Sequence, residues 1–211
     1  MRRTGEKLMA MVRADQVKAL REATGAGMMD CKRALEETSG DFEKAKDWLR
    51  QKGIAKAGSK ASRIASQGIV DSYIHHNQQV GVLVELNSES DFVARNDQFK
   101  DLAHEIALHI AAADPHYLRR DDVPEDVLDR ERAIFSAQAR EQKKPDAVIE
   151  KIVAGKLNDF YKREVLYDQP WTKDDKKSIE QLVKEAIARL GENITISRFA
   201  RFKVGEAPAG Q

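Results

Sequence analysis

The feature that most constrains the fold is a pair of strand-like runs separated by a short polar turn. Residues 69–74 and 80–86 are rich in valine, isoleucine and leucine and have the length of strands, while residues 75–78 between them are polar. This pattern predicts an antiparallel hairpin. Alternation assigns the side chains of the second strand to two faces: Val80, Val82, Val84 and Leu86 on one, and Gly81, Leu83 and Glu85 on the other.

An alternating run near the end of the chain, residues 194–204, is predicted to add a third strand to the hairpin. Much of the chain between the hairpin and this run shows helical spacing instead. A long helix is expected to start at about Asp97 and to end before Pro115, with a single apolar stripe along it. The stripe consists of Phe99, Leu102, Ala103, Ile106, His109 and Ile110.

Further helices are predicted after Pro124 and Pro145, because proline fits the first turn of a helix, and over residues 174–190. Together these patterns predict an α+β core, in which helices pack on a three-stranded antiparallel sheet. So small a sheet leaves an apolar face that needs cover. Either the helices or an identical sheet from a second copy would supply that cover.

Residues 14–53 are predicted to form a separate bundle of three short helices, which resembles a ubiquitin-associated-type domain. Asp41 is placed to cap the third helix, and Gly53 is expected just past its end. We therefore expect five segments along the chain. They are an N-terminal extension (1–13), a ubiquitin-associated-like domain (14–53), a linker with some helix (54–67), a core that also carries dimerisation (68–205) and a tail (206–211).

Charge and cysteine content exclude several classes of function. The 211 residues include 36 lysines and arginines against 35 aspartates and glutamates, which argues against general nucleic-acid binding because that needs a basic excess. The single cysteine, Cys31, permits no disulfide within the chain and no cysteine-rich metal site. No apolar run approaches the roughly 20 residues of a membrane span. We expect a soluble cytoplasmic protein that needs neither a metal nor a cofactor.

Two segments resemble the signatures of the elongation factor Ts family. Residues 24–35, Thr-Gly-Ala-Gly-Met-Met-Asp-Cys-Lys-Arg-Ala-Leu, look like the N-terminal signature. Residues 90–96, Ser-Asp-Phe-Val-Ala-Arg-Asn, resemble the second signature, in which threonine is usual at the first position. Residues 81–85 and 191–202 are also similar to the family, and the resemblance extends from about residue 14 to residue 205.

The resemblance implies a guanine-nucleotide exchange factor that binds elongation factor Tu and performs no covalent chemistry. It implies that Asp91 and Phe92 insert near the magnesium and phosphate end of the GTPase site, where they would promote release of GDP. The partner-binding residues that the resemblance implies are Arg21, Met28, Met29, His75, Ser90, Asp91, Phe92 and Val93. Arg21, Met28 and Met29 would touch a helix of the GTPase domain, and His75 would make its contact from the partner subunit.

The chain resembles the short form of the family, because it has one hairpin, one long following helix and one terminal strand. Longer members carry two related core halves. The short form makes up the second half by dimerising, which implies a homodimer and a heterotetramer with two molecules of elongation factor Tu. Some short members carry cysteine where this chain has Ala200, so a covalent dimer through that position is not expected.

The residues by themselves leave other interpretations open. Asp91 would equally serve as the N-cap of the following helix, with Phe92 stapled to the core. One of Met28 and Met29 is expected to fill the core of the bundle, and the other to be exposed. His75 fits a polar turn beside a second histidine, and neighbouring strand residues point to opposite sides, which argues against a shared metal ion.

Two other functions compete with nucleotide exchange. A ubiquitin-associated-type adaptor with an unrelated dimerisation domain would account for residues 14–53, but it gives the Asp91–Phe92 pair no role. A ribosome-associated RNA-binding protein would use the lysines of residues 54–67, and its affinity for RNA would fall steeply with salt. An enzyme is the remaining class, and the sequence offers no recognisable catalytic constellation for it.

Overall fold

The computed structural model describes residues 12–143 and 145–206, apart from the side chains of residues 54 and 56. The predicted N-terminal extension and tail therefore lie almost wholly outside the described residues. The chain forms two compact units. The first contains residues up to Ile64 together with Lys184–Asn193, and the second contains Ala65–Val183 together with residues from Ile194 onward. None of the helices in the described ranges is long and apolar enough to cross a membrane.

The first unit begins with the predicted three-helix bundle. Its helices are α1 (Ala14–Thr24), α2 (Met28–Glu37) and α3 (Phe42–Lys60). They share a buried core made of Val17, Leu20, Cys31, Ala34, Leu35 and Ala45. Asp41 caps α3 as predicted, because its side chain accepts a hydrogen bond from the backbone nitrogen of Lys44 at 3.0 Å.

The third helix runs further than predicted. Gly53 lies inside α3, and residues 54–60 of the predicted linker continue the helix. A Cβ atom at Gly53 would lie 2.9 Å from the Cβ atom of Ala188, which belongs to helix α8 (Ile179–Leu190). The prediction that α3 ends at Gly53 is therefore wrong, since this glycine allows two helices to approach closely and does not end one.

The second unit is built on a three-stranded antiparallel sheet, as predicted. Strands β1 (Gln67–Ile74), β2 (Val80–Ser88) and β5 (Ile194–Lys203) lie in the order β1-β2-β5. Helix α5 (Asp97–Ala113) packs against β1 and β2, and every residue of its predicted apolar stripe is buried. The buried face of β2 consists of Val82, Val84, Leu86 and Ser88.

The other face of this sheet is exposed and largely apolar. Its nine residues form three cross-strand rows: Val70, Glu85 and Arg198; Ser72, Leu83 and Ala200; and Ile74, Gly81 and Phe202. We call these nine residues the open sheet face. The side chains of Val70, Ile74, Leu83 and Phe202 are all between 48% and 69% exposed. The helices cover one side of the sheet, so the second side is the one that would need a second copy.

Two further helices follow the prolines, as predicted. Helix α6 (Glu125–Glu141) begins directly after Pro124, and helix α7 (Asp146–Glu164) begins directly after Pro145. The two helices pack against each other, with Ala139 and Ile149 among their buried side chains.

Residues 174–178 form a strand where a helix was predicted. Strand β4 (Asp174–Ser178) pairs with the short strand β3 (Pro170–Trp171), so α8 begins only at Ile179. The Ser178 hydroxyl accepts a hydrogen bond from Gln181 N at 3.2 Å, and the Gln181 side-chain oxygen accepts one from Ser178 N at 3.1 Å. This reciprocal capping box fixes the start of α8, and its Ser-x-x-Gln spacing is the signal that the prediction overlooked.

His109 is buried in the second unit with both ring nitrogens hydrogen-bonded. The backbone nitrogen of Thr172 donates to Nδ1 at 3.3 Å, so the proton sits on Nε2, which donates to Gln169 Oε1 at 2.9 Å. The amide nitrogen of Gln169 donates in turn to the carbonyl oxygens of Ala113 and Arg163. Burial lowers the pKa of His109 more than the Gln169 bond raises it, so the ring is neutral in the folded protein.

Acidification is expected to destabilise the protein through His109. Below the ordinary histidine pKa of 6.5 the unfolded chain binds a proton at this residue, whereas the folded chain does not. The free energy of unfolding should therefore fall with decreasing pH, by up to about 1.4 kcal/mol per pH unit, until the lowered pKa of the folded state is reached. Urea unfolding between neutral pH and about pH 5 measures this slope.

The matched variants for this measurement are His109→Gln and His76→Gln. Glutamine at position 109 does not titrate and retains an amide donor for Gln169, so the slope should become shallower than in the wild type. His76 is exposed, so His76→Gln is the control for removal of a histidine outside the core. Equal slopes in His109→Gln and the wild type would contradict the assignment of this pH dependence to His109.

Candidate functional site

A four-residue helix directly after β2 carries the second signature motif. Helix α4 (Asp91–Ala94) begins after Ser90, whose hydroxyl oxygen accepts a hydrogen bond from Val93 N at 3.4 Å. The buried hydroxyl of Ser88 donates to the Ser90 carbonyl oxygen at 2.9 Å. The turn into α4 is therefore fixed by side chains on the strand and in the turn itself.

Ser90 caps α4, and Asp91 takes part in a surface ion pair. Its carboxylate lies 2.9 Å from the guanidinium of Arg95, one helical turn further on. The alternative in which Asp91 is the cap and Phe92 packs on the core is therefore wrong. Arg95 is a residue that sequence reasoning missed, although its i, i+4 spacing from Asp91 is a recognisable signal for a helical ion pair.

Phe92 is 82% exposed, more than any other large apolar residue that the structure describes in the second unit. Its neighbours hold the helix in place, since Ala94 is buried and Val93 is half-buried. Asn96 fixes the chain on the other side, because its side chain caps α5 by accepting a hydrogen bond from Gln98 N at 2.8 Å. A single exposed apolar residue is ordinary, but here it stands beside a carboxylate on a backbone held at both ends.

The first unit presents a second group of predicted partner-binding residues. Arg21 lies in the last turn of α1, Met28 and Met29 lie in the first turn of α2, and all three are exposed. Met28 is 50% exposed and Met29 is 73% exposed. The prediction that one methionine fills the bundle core is wrong, because smaller or branched residues such as Cys31 and Leu35 occupy it. Two flexible, polarisable side chains are thus free to adapt to a partner surface.

His75 lies at the hairpin turn and is half-buried. Its Nδ1 is 2.8 Å from the hydroxyl of Tyr73. Strand β1 ends at Ile74, so the expected opposite orientation of His75 and His76 does not apply, and their ring centroids are 4.2 Å apart. Within residues 12–143 and 145–206, no group of three or more histidine, cysteine, aspartate or glutamate residues is arranged to hold a metal ion.

The structure does not bring all predicted site residues together. Gln67, the first residue of β1, pairs with Ser88 next to α4, whereas His75 follows the last residue of that strand. A strand of this length puts His75 roughly 25 Å from the α4 end of the sheet, at about 3.3 Å per residue. Within the second unit, Ser90, Asp91, Phe92 and Val93 form one continuous site, and His75 lies outside it.

Comparison with known proteins gives a consistent result over nearly the whole chain. The family model described as elongation factor TS matches residues 16–206. An elongation factor Ts from Syntrophomonas wolfei subsp. wolfei is 58% identical over 196 residues, which are 93% of this chain and 92% of that protein. The elongation factor Ts of Thermosipho melanesiensis is 53% identical over 93% of this chain and 100% of its own length. One from an Anaeromyxobacter species is 56% identical over 94% of this chain and 90% of its own length.

Proposed function

The chain belongs to the elongation factor Ts family, and we propose that it is the guanine-nucleotide exchange factor of translation elongation in the cytoplasm. In this role it binds elongation factor Tu carrying GDP and promotes release of the GDP, so that GTP can bind. The observation that carries the proposal is the 82% exposed Phe92, held beside Asp91 on a capped four-residue helix.

The proposed mechanism is differential binding without covalent chemistry. A GTPase holds GDP largely through Mg²⁺ and the backbone of its phosphate loop. Insertion of Phe92, with the Asp91 carboxylate beside it, displaces those elements and raises the rate of GDP release. The factor thereby lowers the affinity of the GTPase for GDP, and thermodynamic linkage requires GDP to lower its affinity for the factor by the same ratio. The factor therefore binds most tightly to the nucleotide-free GTPase and leaves when nucleotide returns.

The first unit supplies a second contact in this proposal. Arg21, Met28 and Met29 bind a helix of the GTPase domain, with the methionines adapting to its apolar side chains and Arg21 to its polar ones. The exposure of both methionines supports this role, since neither is needed for the core of the bundle. We also propose that this bundle is a ubiquitin-associated-like domain.

The open sheet face supports a homodimer. Exposed apolar side chains on all three strands would be covered by the same face of a second copy, as a two-fold interface requires. In a heterotetramer with two molecules of elongation factor Tu, His75 would reach the GTPase bound mainly by the partner subunit. Its position at the far end of the sheet from Phe92 fits that arrangement.

Release of a fluorescent GDP analogue from purified elongation factor Tu tests the proposed function. Catalytic amounts of this protein, with excess unlabelled GDP, are expected to accelerate release strongly and with turnover. Circular dichroism of the same preparation shows that the protein is folded. No acceleration by folded protein would reject the exchange role and favour the adaptor function instead.

A further inference from the structure

An ion pair crosses the open sheet face between β2 and β5. The Nε of Arg198 donates to Oε2 of its cross-strand partner Glu85 at 2.7 Å. The second carboxylate oxygen of Glu85 accepts a hydrogen bond from Asn87 Nδ2 at 3.3 Å. These two hydrogen bonds lower the pKa of Glu85, and the bond from Arg198 has the larger effect. A charged carboxylate therefore stands on a face whose other side chains are mostly apolar.

The two members of this pair differ sharply in exposure. The Glu85 side chain is 25% exposed, whereas the Arg198 side chain is 82% exposed. The carboxylate thus lies low on the sheet, and the guanidinium stands away from it. Within the described part of the chain, Arg198 makes a hydrogen bond only through Nε, so its two terminal nitrogens remain available.

These charges restrict what can cover the open sheet face. Apolar side chains flank the pair, with Val70 in the same row and Leu83 and Ala200 in the next. A purely apolar partner would bury the terminal nitrogens of the guanidinium without an acceptor, and a buried donor that lacks a hydrogen-bond partner is unfavourable even though Glu85 balances the charge. The occupant of this face must therefore carry a carboxylate or an equivalent acceptor at the position of Arg198.

A second copy of this chain meets that requirement through symmetry. In a two-fold interface the same surface meets itself, so each copy brings one Glu85 and one Arg198 to the other. Face-to-face sheets pack about 10 Å apart, and a guanidinium that stands away from its own sheet lies close to the side chains of the opposite one. Each arginine can then bond two carboxylates, one through Nε and one through its terminal nitrogens.

We propose that the Glu85–Arg198 pair is the self-recognition element of the dimer, in which each Arg198 bonds Glu85 of its own chain and Glu85 of the partner subunit. The proposal rests on the homodimer proposed above and adds the residues that select and orient the second copy. A rotated or shifted arrangement of the two faces would set each guanidinium against Leu83 or Phe202. The four charges thus favour one arrangement of two apolar surfaces over the others.

Complementary charge variants distinguish bonds between subunits from bonds within one. Glu85→Arg leaves a chain with two positive charges at the pair, and Arg198→Glu leaves a chain with two negative charges. Each variant alone is expected to raise the dimer dissociation constant at least about tenfold. An equimolar mixture of the two should form heterodimers with near wild-type affinity, because every contact between subunits is then complementary while every contact within a chain is repulsive.

Sedimentation equilibrium measures the dissociation constants, with one variant carrying a fluorescent label in the mixture. The double variant Glu85→Arg/Arg198→Glu restores the pair within each chain and should dimerise like the wild type, which guards against loss of folding. Arg132→Glu on α6 makes the same change of charge in another surface ion pair, and it should leave dimerisation unchanged.

The outcomes separate this inference from the proposals on which it rests. A wild type that dimerises, with variants that fail alone and associate when mixed, supports the inference. Dimerisation of either single variant at wild-type strength, or failure of the folded mixture to associate, overturns it while leaving the dimer intact. A monomeric wild type overturns the dimer and the inference together, and the GDP-release measurement still decides the exchange function by itself.

Discussion

Replacement of Phe92 by alanine is expected to reduce GDP-exchange activity by about 10- to 100-fold, the loss typical of a central residue in a protein interface. The fold should be unaffected, because the side chain is 82% exposed, and surface substitutions usually change the free energy of unfolding by less than about 0.5 kcal/mol. The measurement is the rate of GDP release from elongation factor Tu as a function of factor concentration. Urea unfolding of the same preparation reports on the fold.

Ile134→Ala is the matched control for this variant. Ile134 is an exposed apolar residue on α6, 42% accessible, so its truncation removes a similar kind of surface from a different part of the second unit. Phe92→Leu should give an intermediate rate, since it retains apolar volume without the aromatic ring. Full exchange activity in a natively folded Phe92→Ala protein would eliminate insertion of this side chain as the mechanism.

Phe99→Ala should lower the stability of the fold strongly, whereas Phe92→Ala should lower exchange activity and leave the fold stable. Phe99 stands only seven positions beyond Phe92 in the sequence but is fully buried, at 0% exposure, between α5 and the sheet. Truncation of a buried phenylalanine costs about 3–5 kcal/mol, a large part of the roughly 5–15 kcal/mol that stabilises a typical domain. Urea unfolding monitored by circular dichroism measures the loss.

The exchange activity of Phe99→Ala distinguishes stability from function. At low temperature, the fraction of molecules that remain folded should exchange GDP at the wild-type rate, because the α4 motif is unchanged. Phe99→Leu should destabilise the protein less than alanine, since it leaves a smaller cavity. Wild-type stability in Phe99→Ala would contradict the position of this residue in the core.

The sequence predicted those parts of the fold in which side-chain periodicity reports burial directly. Residues 80–86 alternate because β2 has one buried face, and the α5 stripe repeats because one side of that helix lies on the sheet. Predictions failed where a contact distant in the chain decides the outcome. Gly53 stays within α3 opposite Ala188 of α8, and the charged segment Asp174–Ser178 becomes a strand by pairing with Pro170–Trp171.

In the candidate site, too, local sequence pattern predicts some features and not others. The sequence identifies the residue types of the Ser90–Val93 motif, but local pattern allows either Ser90 or Asp91 to cap a helix at this position. Ser90 is the cap because its hydroxyl oxygen accepts a hydrogen bond from Val93 N, and local spacing alone does not predict this bond. Exposure of both Met28 and Met29 is likewise a property of how α2 begins at the edge of its bundle, where Cys31, Ala34 and Leu35 already complete the core.

The bonds that flank α4 bear on the entropy of association. Ser88 and Ser90 fix the backbone before Phe92, and Asn96 fixes it afterwards. The proposed insertion of Phe92 would therefore restrict little more than the torsions of its own side chain, at a cost of about 0.5–1.5 kcal/mol for an immobilised side chain, and no loop would have to be ordered. In the proposed exchange cycle the factor attaches and detaches once per turnover, and such rigidity would favour both steps, because neither would wait for a segment to fold or unfold.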